Sequence, residues 1–191
     1  MDDCEKLGFE MRKGSVGQFV LIGIAISILA TGCNSPSSLE CRNVSRDVIS
    51  LGGLVMEKHG RIYGLSILIE DEESSKKLLS LAKCDTVYRL SVSGPGVNDE
   101  LMAAISKMSE LTKLTISDAN LTASGVAYLS SCPSLAGITI ANTPIQEQGF
   151  YQLCDSPSLR EVVVIGSDLA YEREKELSKF ARDKNIRFAF H

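Results

Sequence analysis

The chain has 191 residues and a formal net charge of −4, which gives no electrostatic footing for binding nucleic acid. Its 44% apolar content suits one core of ordinary size, while the lack of Trp and 6% aromatic content deny it the usual anchors of strong interface hot spots.

Residues 1–33 read as an N-terminal extension followed by a lipoprotein-type signal peptide. Residues 1–10 are polar and acidic, and Met11-Arg-Lys13 then opens a different segment, so Met11 is a second candidate start. Residues 19–29 are apolar apart from Gly23 and Ser27, and Leu29-Ala-Thr-Gly-Cys33 forms the exit. A basic start, a short apolar run and a small-residue exit describe a secretory signal, because a spanning helix needs about 20 apolar residues. The exit is similar to the lipobox of bacterial lipoproteins, although Ala30 stands where that pattern most often has leucine. The resemblance implies Cys33 as the lipid-attachment site and a chain held at a membrane of the cell envelope. An uncleaved membrane anchor and ordinary export are the alternatives.

Residues 34–42 are expected to be a flexible tether, since Asn34-Ser-Pro-Ser-Ser38 has little that packs. Residues 43–51 read as a helix with Val44, Val48 and Leu51 at helical spacing, ended by Gly52-Gly53. Leu54-Val-Met-Glu57 and Ile62-Tyr-Gly-Leu-Ser-Ile67 flank Lys58-His59-Gly60 and predict a hairpin.

From there one phrase recurs. Val87-Tyr-Arg-Leu90-Ser-Val92, Leu111-Thr-Lys-Leu114-Thr-Ile116, Leu135-Ala-Gly-Ile138-Thr-Ile140 and Leu159-Arg-Glu-Val162-Val-Val164 begin 24 residues apart. Leu65 and Ile67 take the same places one unit earlier, and Ile186 and Phe188 about one unit later. After each strand comes a small residue (Pro95, Ala119, Thr143, Ser167) and then an apolar anchor (Val97, Leu121, Ile145, Leu169). Met102/Ile105, Val126/Leu129 and Phe150/Leu153 follow at i, i+3 spacing, which predicts one short helix per unit. Each unit can bury its apolar face only against its neighbours. The expected fold is therefore α/β, six strands in series on one face and helices on the other. Tyr171-Glu-Arg-Glu-Lys-Glu-Leu177-Ser-Lys-Phe180 would be a charged terminal helix, and residues 187–191 an edge strand.

These units resemble the cysteine-containing subclass of leucine-rich repeats. Leu121-Thr-Ala-Ser-Gly125-Val126 and Ile145-Gln-Glu-Gln-Gly149-Phe150 match its middle phrase, Cys132-Pro133 matches its end, and Cys84 has the equivalent place two units earlier. Met108 and Ser156 replace that cysteine elsewhere, and Leu101 replaces the glycine. The resemblance covers residues 60–190 and implies a short open solenoid, residues 43–191 with their caps, whose strand side binds a protein or another ligand.

Cys84 and Cys132 sit two strand spacings apart, about 10 Å, too far for a disulfide. Buried thiols are the expected state; a bridge from Cys154 to Cys41 or Cys132 stays open. No metal, cofactor or catalytic group is expected: C-x-x-C and G-x-S-x-G are absent, and the only histidines are His59 and His191. Gly94-Pro-Gly96 lacks the rest of a phosphate loop and reads as a repeat turn, since equivalent turns carry no such glycines. Asp71-Glu72-Glu73 reads as a solvated charge run in a loop.

On the strand side the outward residues alternate with the buried ones. The central line is Ser66, Ser91, Thr115, Thr139, Val163 and Arg187, flanked by Arg89, Lys113, Asp118, Asn142, Glu161 and Ile165. This is the candidate interaction face, in a monomer whose expected contacts are an unidentified protein partner and a membrane through its N-terminus. The competing view is that hydroxylic and β-branched residues merely suit an exposed strand.

Overall fold

The computed structural model describes residues 38–167 and 173–191. The signal segment with Cys33, residues 34–37 of the tether, Leu169 and the start of the charged helix at Tyr171 lie outside the described residues.

Helix α1 (Leu39–Ser50) starts four residues before the expected position. Ser38 explains the difference: its side chain accepts the Cys41 N–H at 3.2 Å and caps the helix. Cys41, Val44 and Val48 then form one fully buried stripe. Residues 39–42 therefore belong to the helix and not to the tether. Strands β1 (Leu54–Lys58) and β2 (Arg61–Leu68) form an antiparallel hairpin. Its two-residue turn has His59 at φ 51° and Gly60 at φ 73°, the left-handed pair a tight hairpin needs to match strand twist.

β3 (Arg89–Ser93), β4 (Lys113–Ser117), β5 (Gly137–Ala141), β6 (Glu161–Ile165) and β7 (Arg187–Phe190) follow. The seven strands lie in sequence order, and all pairs after β1/β2 are parallel. Leu65, Leu90, Leu114, Ile138 and Val162 are successive register partners, as are Ile67, Val92, Ile116, Ile140 and Val164. The last strand departs from the 24-residue spacing. Val162 pairs with Phe188, 26 residues on, and Val163 with Ala189. Arg187 therefore stands beside Glu161 and not in the central line.

Between strands run α2 (Glu72–Lys77), α3 (Asp99–Ile105), α4 (Ala123–Tyr128), α5 (Glu147–Leu153) and α6 (Glu174–Asp183). α2 replaces the expected acidic loop. Asp71 caps it by accepting the Ser74 N–H at 2.7 Å, and Glu72 and Glu73 occupy its first turn, where the helix dipole favours them. Asn98 and Thr122 cap α3 and α4 in the same way. Met102, Ile105, Val126, Leu129, Phe150 and Leu153 from these helical segments share one buried cluster with the inward strand residues.

The turns after the strands also repeat. Gly94, Asp118, Asn142 and Gly166 have φ of 103°, 52°, 47° and 59°. Gly166 is thus a glycine equivalent to Gly94, contrary to the expectation that such turns lack one, and Asp and Asn are among the few other residues that accept this conformation. Thr143, completely buried, closes a neighbouring turn by accepting the Ala119 N–H at 3.1 Å and donating to the Ala141 carbonyl at 2.9 Å.

Candidate functional site: the outer strand face

Alternation decides which side chains this face holds. Leu90 and Val92 point into the core, so Arg89, Ser91 and Ser93 project from the other side, and the same parity holds in β4, β5 and β6. Register then sorts them into three rows. The row nearest the strand starts is Gly64, Arg89, Lys113, Gly137, Glu161, Arg187; the central one is Ser66, Ser91, Thr115, Thr139, Val163, Ala189. The third is Leu68, Ser93, Ser117, Ala141 and Ile165.

Most of the candidate face is thus brought together: Ser66, Ser91, Thr115, Thr139 and Val163 form one row, with Arg89, Lys113 and Glu161 beside it. Ile165 ends the third row and is exposed, as is Leu68 at 53%. Asp118 and Asn142 belong to the turns. Their side chains are linked, Asn142 Nδ2 donating to Asp118 Oδ1 at 3.2 Å, so their residue types are accounted for by turn geometry.

Charge is unevenly arranged along the first row. Glu161 accepts a charged hydrogen bond from Arg187. Among the described residues, Arg89 and Lys113 have no ion-pair partner, and neither do Lys58 and Arg61 at the hairpin end. There Tyr63 and Tyr88 stack with ring centroids 5.4 Å apart, and with Lys58, His59 and Arg61 they line an open cavity of about 440 Å³. A second cavity, of about 270 Å³, lies over Gly137 between Lys113 and Glu161. Sequence reading missed both. The unpaired cations were visible as residue types, but their grouping needs the register, and the stacked Tyr pair needs the hairpin's placement.

The thiols lie away from this face. Cys41, Cys84, Cys132 and Cys154 are all buried and unbridged. A hydrogen bond to Cys41 and then burial hold the Cys84 thiol well above its ordinary range. Burial raises Cys132 and, with Asp155 adding to it, pushes Cys154 up to about 12. Such thiols stay protonated and are poor nucleophiles near neutral pH. Among the described residues no group of three or more His, Cys, Asp or Glu is placed to hold a metal ion, and no helix is long and apolar enough to cross a membrane.

No protein-family model matches the chain, and no curated protein is significantly similar to it.

Proposed function

We propose that residues 39–191 form a short leucine-rich-repeat solenoid working as a non-enzymatic protein-interaction module of the bacterial cell envelope, held at the membrane through lipid on Cys33. The observation that carries this reading is the outer strand face. Five successive parallel strands present solvent-facing, mostly half-buried side chains in register, while the four described thiols are buried in the opposite layer. Side chains that pack nothing and cap nothing are free to contact another molecule. The L-x-x-L-x-L phrases and the signal-like N-terminus support the repeat family and the envelope location.

Two experiments test the two halves. Mass spectrometry of the mature N-terminus is expected to find a diacylglyceryl or triacyl group on Cys33; an intact chain still carrying residues 1–32 would replace the lipid with an uncleaved anchor. Mild crosslinking in envelope fractions should capture a partner that is lost when Lys113 and Glu161 are charge-reversed. The same captured proteins from wild type and variant would argue for a passive structural component.

A further inference from the structure

At the fifth strand the outer face has a gap. Gly137 lies in register between Lys113 and Glu161, and a Cβ placed there would meet only Glu161 Oε2, at 3.9 Å. Its φ is not in the left-handed region, so neither backbone conformation nor crowding calls for glycine. A glycine inside a strand weakens it, and its usual justifications are a bulge or the close approach of a ligand or another backbone. β5 pairs with both neighbours without a register break. The remaining explanation is the space itself, the 270 Å³ notch walled by Arg89, Lys113, Thr115, Thr139 and Glu161.

The notch is net positive: Arg89, Lys113 and Arg187 stand against Glu161, whose Oε2 faces the empty position. Glu161 is already engaged by Arg187. Arg89 and Lys113 stand on adjacent strands, about 4.8 Å apart along the sheet, and have no carboxylate partner among the described residues. Two like charges held side by side repel, and an anion placed between them removes that penalty while gaining two charge-assisted hydrogen bonds. The chain as a whole is acidic, at −4, so this cationic corner also orients an incoming acidic group.

We propose that the notch over Gly137 receives an acidic side chain from an extended segment of a protein partner, its carboxylate held by Lys113 and Arg89. The proposal rests on the interaction-module reading and supplies the partner chemistry that reading lacks. Hydroxyls of Thr115 and Thr139 in the adjoining row can meet the segment's peptide groups. Val163 lies one strand beyond Gly137 and two beyond Lys113, and two residues further along its strand, so it is about 8–12 Å away, a distance spanned by three or four extended residues. The recognised segment therefore carries an acidic residue followed three or four positions later by an apolar one. A flat anionic lipid surface would use the cations but leave both the notch and the apolar step unfilled.

The test uses the full-length chain and arrays of nine-residue peptides with a fixed Glu or Gln, Leu three positions later and other positions randomised. Wild type should retain the Glu array at least about tenfold over the Gln array. Lys113→Glu should abolish that preference, and Gly137→Leu should do the same without altering charge. Lys113→Gln, an exposed change that leaves the core untouched, repeats the measurement if either variant folds poorly. Equal retention of Glu and Gln arrays, undiminished binding by Gly137→Leu, or binding to phosphatidylglycerol vesicles in place of peptides would each overturn the proposal. A crosslinked partner on the strand face that ignores Lys113→Glu and Gly137→Leu overturns the notch alone; a strand face that captures nothing removes the module reading with it.

Discussion

The same chemical change, Gly→Ala, should have opposite signs at Gly96 and Gly137. At Gly96 a Cβ would stand 2.5 Å from the Asp71 carbonyl oxygen, 2.7 Å from Ile69 Cγ2 and 2.8 Å from the Asp71 amide nitrogen. Ordinary contact begins at 3.4 Å, so the turn must retreat by roughly 0.9 Å (3.4 minus 2.5) from backbone that caps α2. That retreat stretches the Gly96 N–H bond to the Ile69 carbonyl, now 2.8 Å long. Overpacking costs about 1–3 kcal/mol, and loss of a buried hydrogen bond about 1–3 kcal/mol more. The narrower unfolded ensemble of Ala offsets about 0.4–1 kcal/mol. Gly96→Ala should therefore destabilise by about 1–5 kcal/mol. Gly137→Ala meets open space, so only the unfolded-state term remains and it should stabilise by about 0.4–1 kcal/mol. Urea unfolding followed by circular dichroism, with unchanged m-values, measures both. If the two variants agreed within about 0.5 kcal/mol, the packing account of Gly96 would fail. A phosphate-cradling role for Gly94-Pro-Gly96 would then need reconsidering, since glycines kept for a ligand can be replaced without loss of the fold.

Three further outcomes follow from local geometry. His59→Asn should stabilise the chain by about 0.5 kcal/mol in thermal unfolding, because Asn-Gly suits a turn with two left-handed residues; a loss of stability would contradict the observed turn. The four described cysteines should be silent to a thiol reagent in the native state and react only as the domain unfolds in urea, so rapid labelling of any of them in native protein would contradict their burial. The Cys154 thiol keeps its proton to about 12 in the folded chain, against an ordinary 9.0. Stability from this group is thus fully present below pH 9 and lost as pH rises, by about 1.4 kcal/mol at pH 10; Cys154→Ala should lose less stability over that interval than wild type, and an identical slope would place the cause elsewhere.

The neighbour relations of β2 to β6 were legible because two periods reinforce one another. Inward residues alternate along each strand, and Leu90, Leu114, Ile138 and Val162 recur every 24 residues, so a slip of one position would turn the whole apolar set to solvent. Where one of those constraints weakens, the reading drifts. The interval from Val162 to Phe188 contains the ten-residue helix α6, longer than α2 to α5, and the extra two residues shift Arg187 from the central line to Glu161 without changing its face. Ser38 and Asp71 belong to residue types that serve tethers, loops and helix caps alike, so only the hydrogen bonds they accept could separate those uses. Asp118 and Asn142 are polar and follow a strand, which in the sequence marks them for the binding face. Their positive φ, invisible in a single sequence, is a second reason for those residue types.

The repeat itself bears on where function can reside. A residue that recurs at its repeat position is explained by the repeat, whether it is an inward Leu, a turn Asn or a capping Thr, and it carries little information about a partner. Information lies in departures: Gly137 where neighbouring strands carry Lys113 and Glu161, Val163 where they carry Thr115 and Thr139, and Arg89 and Lys113 without the counter-charge that Glu161 finds in Arg187. The departures cluster on β3 to β6, on one face, within about 15 Å, three strand spacings. Chance drift on a tolerant surface has no reason to set an empty position, an unpaired pair of cations and an apolar step next to one another, whereas a face that receives one side chain and its flanking residue needs all three within that reach.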